Sequence, residues 1–371
     1  MIRVLQVIGG MNLRGAETFL MNVYRKINRT QVQFDFLVYS NDKQDYEDEI
    51  LSLGGRVIHM PCSRGIGAYK SIKSIKEIIR QYGPYKAIHA QTLYNISYAL
   101  LAAKSFPEIL RISHSHSTKN ALSANFLRRL YERWAAYVIR RETQVMVACG
   151  EDAGEFLFGE KFKTEGIVLK NGIDLDKHCP KNHSAIYAIK SQYQLEDKLV
   201  IGAVGHFYEV KNHRFMIEIA ESLKEKSVDF KMLLVGKGVL QDEIKQIVLN
   251  KGLQDKVVFL DTRTDIPDLM HVFDIFLMPS HFEGNPVTLV EAQAAGTHCV
   301  MSDVITDEMD MGLNLITKIS LNKSACFWAE KIAKISKKKN IEETLIRTKI
   351  SACGYDAQAT ADQLINIIQQ R

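Results

Sequence analysis

Glu283 and Glu291 stand eight positions apart in the stretch His281-Phe-Glu-Gly-Asn-Pro-Val-Thr-Leu-Val-Glu-Ala292. A carboxylate accepts hydrogen bonds from neighbouring hydroxyls, so two of them at different heights suit a sugar and a ribose diol. Glu283-Gly284-Asn285-Pro286 reads as a loop, and Val287 to Ala295 as the start of a helix. A helix N-terminus presents unpaired N–H groups and partial positive charge, which favours a phosphate. The plainer alternative is an acidic surface turn. A second group, Gly205-His206 followed by Lys211-Asn212, occupies the loop after a strand. Lys211 there could hold the negative charge of a departing diphosphate, although loop lysines are commonly just solvated. A third is Arg111-Ile-Ser-His114-Ser-His116-Ser117, with two histidines at alternate positions of a strand end and so on one face. A metal there lacks a third ligand, which leaves a histidine binding a hydroxyl or a satisfied structural histidine. Gly9-Gly10 and Gly15-Ala16-Glu17 form the fourth, where glycines let backbone N–H groups approach a ligand.

Several chemistries are excluded. The glycines do not spell G-x-G-x-x-G, and Asp35 falls inside the following strand, not at its end, which disfavours a dehydrogenase. No G-x-x-x-x-G-K-[ST] is present, so a P-loop NTPase is out. The acids from Asp307 to Asp310 fit a solvated turn as well as a metal site. Six cysteines at 62, 149, 179, 299, 326 and 353 show no C-x-x-C pair and read as reduced thiols of a cytosolic protein. The 48 Lys and Arg against 43 Asp and Glu leave a net +5, enough for an anionic substrate or membrane surface and too little to argue for nucleic acid. No apolar run approaches the ~18–20 residues needed to span a bilayer. The first apolar stretch is too short and β-branched for a signal peptide.

These groups need a scaffold. Strand patterns fall at Ile2 to Ile8, Phe34 to Tyr39, Arg56 to His59, Ala87 to His89, Arg111 to Ser113 and Val145 to Cys149. A second series runs through Leu199 to Val204, Lys231 to Val235, Val257 to Leu260, Ile275 to Met278 and His298 to Ser302. Helical patterns lie between most of them, including Thr18 to Ile27 and Phe215 to Leu223. Alternation of this kind predicts parallel sheets made of βαβ units. Two series in 371 residues predict two doubly wound domains facing each other across a cleft, with ligands at the carboxyl ends of the strands. Asn171-Gly172-Ile173-Asp174 marks the boundary, giving domains of 1–170 and 171–354. A final helix pattern places Ala357, Ala361, Leu364, Ile365 and Ile368 on one face.

Together these motifs resemble retaining glycosyltransferase family 4, of the GT-B fold. The resemblance rests on Glu283-x7-Glu291 within Glu-Gly-Asn-Pro-x-x-Leu-Val-Glu-Ala and on Asn171-Gly172-Ile173-Asp174. It is extended by Gly205-x5-Lys211-Asn212, Gly10-x4-Gly15-Ala16-Glu17, and Tyr355-Asp356 before the last helix, and it implies that the helix of 355–371 returns to pack on the first domain. It spans the chain, and Ser-His114-Ser-His116-Ser is similar to the capsular and exopolysaccharide subgroup. It implies that Glu291 holds ribose hydroxyls and that Glu283 contacts the transferred sugar beside the amides of Gly284 and Asn285. Leu289 and Val290 would adjoin the donor. Lys211 would neutralise the diphosphate, Gly10 would approach a phosphate, and His116 would sit near the donor sugar. Gly15, Glu17 and His114 would face the acceptor. The family usually has arginine where His206 stands, so either one cation clamps the diphosphate or His206 works partly protonated. The implied catalytic set is Glu283, Lys211 and His116. The implied reaction retains anomeric configuration by front-face attack, without a divalent metal or other cofactor.

Between Lys119 and Arg141, five arginines interleave with Leu122, Phe126, Leu127, Leu130, Tyr131, Trp134, Tyr137 and Val138. This is a basic amphipathic helix, suited either to an anionic membrane surface or to ordinary packing by one face. The membrane reading implies a lipid-diphosphate-linked saccharide acceptor and a place on the inner face of the cell membrane. Alternatives are a GT-B transferase acting on a soluble molecule or protein, or a nucleotide-sugar epimerase of the same fold.

Overall fold

A computed structural model describes residues 1–61, 63–117, 126–335 and 341–370. The chain forms two compact units, Met1–Gly172 with Gly354–Arg371, and Ile173–Cys353.

The first unit holds a seven-stranded sheet of β1 (Ile2–Ile8), β2 (Val32–Val38), β3 (Arg56–His59), β4 (Ala87–Ala90), β5 (Leu110–Ser115), β6 (Val145–Ala148) and β7 (Ile167–Val168), in the order β3-β2-β1-β4-β5-β6-β7. The second holds six strands, β8 (Leu199–Val204), β9 (Phe230–Val235), β10 (Val257–Phe259), β11 (Ile275–Met278), β12 (His298–Ser302) and β13 (Ile316–Ile319), in the order β10-β9-β8-β11-β12-β13. The strand pairs run parallel. Both orders reverse direction beside their first strand, the doubly wound pattern whose ligands bind at that reversal. In the first unit the reversal lies between the ends of β1 and β4, in the second between the ends of β8 and β11.

Apolar runs suit strands covered on both faces, and β2 is buried at every position. Its one acid is satisfied internally: Arg3 Nε donates to Asp35 Oδ2 at 3.0 Å and the Tyr85 hydroxyl donates to the same oxygen at 2.9 Å. Asp35 is therefore a core ion pair and not a ribose ligand. Strands β7 and β13 escaped the sequence patterns. One is two residues long, and the other, Ile-Thr-Lys-Ile, is a half-buried sheet edge.

Five helices bear on function: α1 (Gly15–Lys26), α2 (Phe126–Glu142), α3 (His213–Glu225), α4 (Val287–Ala294) and α5 (Ala357–Gln369). Helix α5 places Ala361, Leu364 and Ile368 in the core that Phe19, Leu20 and Val23 of α1 line. Thr360 Oγ1 donates to Lys170 O at 3.3 Å, and Asn22 Nδ2 to Gly172 O at 3.1 Å. A Cβ at position 172 would meet Ala357 N at 2.7 Å, so the turn needs glycine for this close approach. Asp174 has a separate task, capping the short helix Leu175–His178 by accepting from Asp176 N. Cys149, Cys179, Cys299, Cys326 and Cys353 are free thiols; Cys62 lies outside the described residues.

Candidate functional site

In the second unit, β8 ends at Val204 and β11 at Met278, and the two following loops are bonded together over the reversal point. His281 N donates to Val210 O at 2.8 Å, and Asn212 Nδ2 donates to Pro279 O at 3.1 Å. Asn212 adopts the left-handed conformation at φ +58°, which asparagine tolerates better than most residues. Its turn sends Lys211 back across Gly205, whose missing Cβ would lie 3.4 Å from Lys211 Cε.

There Lys211 Nζ meets Glu283 Oε1 at 2.7 Å, and Ser280 Oγ donates to the same oxygen at 2.6 Å. Both charged side chains are mostly covered, with exposures of 22% and 10%. The pair is thus neither a solvated lysine nor a free acidic turn. It is a cation and an anion held at the carboxyl end of the sheet, with Glu283 Oε2 carrying no hydrogen bond among the described residues. His206 lies on the adjoining loop, its Nδ1 3.1 Å from Lys237 O. Gly284 is exposed and Asn285 half-buried.

Helix α4 starts at Val287, as expected, ends at Ala294, one residue short of the expected Ala295, and carries Glu291 in its second turn. Glu291 is only 8% exposed. Burial pushes its carboxyl up to about 7. The nearest cation-capable group is His178 Nε2 at 3.9 Å, too far for a hydrogen bond. Burial drives His178 down to about 4, so it is neutral at pH 7. The two neighbours expected to adjoin the donor do not offer side chains. Leu289 and Val290 are fully buried, and the Leu289 N–H is bonded to Pro286 O at 2.9 Å.

In the first unit, Gly10 and Gly15 flank the loop into α1. A Cβ at Gly10 would lie 2.8 Å from Gln44 Oε1, which accepts from Met11 N at 2.9 Å. Gly10 therefore has a packing reason of its own, whereas Gly15 opens α1 with nothing near it. Glu17 sits in the first turn of α1, its carboxyl pushed up by burial.

His114 and His116 do lie on one side, their ring centroids 4.0 Å apart in a stack. The stack continues to His89, whose Nε2 is 3.2 Å from His114 Nδ1. His114 is wholly buried among the polar residues of the first unit. His116 is half-buried at the end of β5, with Nε2 2.8 Å from Gln91 Oε1. Burial lowers His89 to about 3 and His116 to about 4. Among the described residues no group of three or more His, Cys, Asp or Glu side chains is arranged to hold a metal ion. Sequence reasoning missed Ser280, His178, His89, Gln91 and Gln6. A signal existed for Gln6 and His89, which are polar residues inside otherwise apolar strands and face each other in the β1–β4 register.

Helix α2 buries Ala135, Val138, Ile139 and Glu142. Its other side exposes Phe126 (75%), Leu127 (72%), Leu130 (56%) and Tyr137 (60%) alongside arginines. The expected basic segment also included 118–125, which lies outside the described residues. No described helix is long and apolar enough to cross a membrane.

Comparison with known proteins gives the family. The profile for glycosyl transferases group 1 matches residues 187–351, and that for glycosyltransferase family 4 matches residues 13–177. A protein of Bacillus subtilis (strain 168) named as a glycosyltransferase, EpsF, is 40% identical over 98% of this chain and 96% of its own length. An Escherichia coli UDP-Gal:alpha-D-GlcNAc-diphosphoundecaprenol alpha-1,3-galactosyltransferase is 29% identical over 37% of this chain and 36% of its own. Among solved structures, Anabaena HepE in complex with UDP superimposes with a TM-score of 0.74 at 18% identity, covering 100% of both chains. The chain belongs to glycosyltransferase family 4, with the GT-B fold of two parallel-sheet domains, and is a glycosyltransferase.

Proposed function

We propose that this enzyme moves a hexosyl or N-acetylhexosaminyl group from a UDP-sugar to a lipid-diphosphate-linked saccharide, with retention, during assembly of a capsular or exopolysaccharide. The observation that carries the reading is the Lys211–Glu283 pair at the reversal point of the second sheet. A nucleotide-diphosphate sugar has a dianionic centre joined to a polyhydroxylated ring. Lys211 keeps N–H donors for the diphosphate, and Glu283 Oε2 accepts from a sugar hydroxyl, so one ion pair sets both groups in register. Glu291 accepts from the ribose diol. The amides of Gly284 and Asn285 and the N-terminus of α4 add positive potential.

The acceptor hydroxyl attacks C1 on the face from which the diphosphate leaves. The C1–O bond to phosphate breaks as the new C1–O bond forms, and the departing phosphate oxygen takes the acceptor's proton. Lys211 stabilises the charge that develops on that oxygen, a task a divalent metal would otherwise perform. We expect activity to persist in excess chelator.

The relative from Escherichia coli is named for a diphosphoundecaprenol-linked acceptor. Helix α2, with exposed Phe126, Leu127 and Leu130 among arginines, suits docking beside such a lipid on the inner face of the membrane.

The test is donor hydrolysis over a panel of UDP- and GDP-sugars, followed by NMR of the anomer first released. Turnover of a UDP-sugar with initial retention supports the reading. Exclusive use of GDP-sugars, or inversion, overturns it.

A further inference from the structure

Strand β11 ends at Met278, and Pro279 after it has no N–H to extend the ladder. The next three residues are nevertheless held one by one. Pro279 O accepts from Asn212 Nδ2 at 3.1 Å, Ser280 O accepts from Ser302 Oγ at 2.7 Å, and His281 N donates to Val210 O at 2.8 Å. Ser302 closes β12, whose Met301 pairs with Met278, so its hydroxyl takes over where the backbone pairing ends. Ser280 and Ser302 are both fully buried.

Each hydroxyl has one proton to give. Ser302 commits its proton to the Ser280 backbone, and Ser280 commits its own to Glu283 Oε1 at 2.6 Å. Lys211 Nζ donates to the same oxygen at 2.7 Å. Two donors thus converge on Oε1, and Oε2 takes none among the described residues. The two donors differ in kind. An ammonium is a compact charge with three rotatable N–H groups, so it attracts either oxygen of a carboxylate. A buried hydroxyl on a clamped turn has a fixed origin and gives one directed bond. Lys211 therefore supplies charge, and Ser280 selects which oxygen of Glu283 is used up and which stays open.

We propose that Ser280, anchored by Ser302, is a positioning residue that presents Glu283 Oε2 to the transferred sugar of the donor. The inference rests on the reading that Glu283 accepts from that sugar. It assigns the contact to one oxygen, and the aim of that oxygen to two serines outside the Glu283–Glu291 pair. When the diphosphate draws on the N–H groups of Lys211, the Ser280 bond still holds Oε1, so the carboxylate keeps its plane while the donor is bound.

The experiment is titration calorimetry of the full chain with UDP, UDP-glucose, UDP-galactose and UDP-N-acetylglucosamine. UDP carries the diphosphate and lacks the ring that Oε2 meets, so the ratio of the two affinities isolates the sugar. In Ser280→Ala the Kd for UDP should stay within about twofold. The Kd for whichever UDP-sugar the wild type binds most tightly should rise about tenfold, the usual scale for a hydrogen bond to a charged group. Ser302→Ala should move the ratio in the same direction by a smaller factor, and an unchanged ratio there removes the anchor. Equal losses for UDP and the UDP-sugar would make Ser280 a purely structural residue and overturn the proposal, as would no loss for either. Glu283→Gln tests the underlying reading separately. An unchanged ratio in that variant means that Glu283 does not meet the sugar, and the reading itself fails. A changed ratio in Glu283→Gln with an unchanged one in Ser280→Ala leaves the reading standing and removes the role of Ser280.

Discussion

Glu291 carries a carboxyl in near-complete burial with no hydrogen bond among the described residues, so its ionisation is costly until a ligand supplies donors. Its ordinary carboxyl value is raised to about 7 by that burial, which makes half the population protonated at neutral pH. A ribose diol donates to the ionised form, so donor binding should tighten as pH rises. Between pH 6 and pH 8 the ionised fraction climbs roughly tenfold. The donor KM should fall by about that factor, measured with initial rates at saturating acceptor, and Glu291→Gln should show a flat profile. A wild-type KM that rises with pH would remove Glu291 from the donor site. Lys211 yields a separate expectation. Its loss takes away a fixed cation at the leaving group, an effect of about 10²–10³ in kcat, whereas Lys211→Arg should keep more of the rate. The residue types at 211, 283 and 291 were legible because their chemistry is local to short motifs. Their surroundings were not: Ser280, His178 and the Gln6–Gln91 pair approach through sheet register, which a single chain's spacing does not display.

Strands and helices were legible where pattern and burial agree. Strands β8 and β11 fall where unbroken apolar runs place them, and β1 and β12 where runs broken by a few polar residues do, since a parallel sheet covered on both faces favours such runs. The missed strands are too short or too mixed to read by pattern, β7 being two residues and β13 placing Thr and Lys between isoleucines, and pairing to a neighbour defines them. Helix α2 shows the opposite case, a periodic sequence compatible with two fates. The structure realises a packed face at Ala135, Val138 and Ile139 and leaves Phe126, Leu127 and Leu130 outside. Each of those side chains could contribute about 1.5–3 kcal/mol on full transfer from water, and each nearby arginine about 1 kcal/mol at an anionic surface. Phe126→Ser/Leu127→Ser/Leu130→Ser should therefore lower partitioning onto vesicles containing anionic lipid at least tenfold, measured by sedimentation. Hydrolysis of the donor should be unaffected. Wild-type binding should weaken with added salt through its charged part. Equal partitioning of wild type and variant would confine α2 to internal packing.

At the scale of the whole molecule the buried imidazoles set a limit on acid tolerance. Burial lowers His89 to about 3 and His116, His178 and His213 to about 4, and holds His114 well below its ordinary value. In an unfolded chain each titrates near 6.5. Between that value and its folded one, the unfolded state binds the extra proton, so stability is fully present above pH 6.5 and is lost as pH falls. At pH 5 each such ring costs roughly 2 kcal/mol by the 1.36 kcal/mol per unit conversion. Glu291 acts in the other direction, because its raised value favours the folded state on protonation below pH 7, and it offsets little more than one ring. Against a typical total of about 5–15 kcal/mol, the net loss is large even if the stacked rings are far from additive. Two compact units also make a single transition an unsafe assumption. Urea titrations followed by circular dichroism should show midpoints falling steadily from pH 7 to pH 5, in both transitions if two are resolved, since His89, His114 and His116 belong to the first unit and His178 and His213 to the second. The effect should shrink in His213→Phe, whose ring would keep the stacking on Phe207 that His213 makes at 4.1 Å without titrating. Midpoints constant across that interval would mean that these rings accept protons in the folded state, and that the space around them is wetter than their burial indicates.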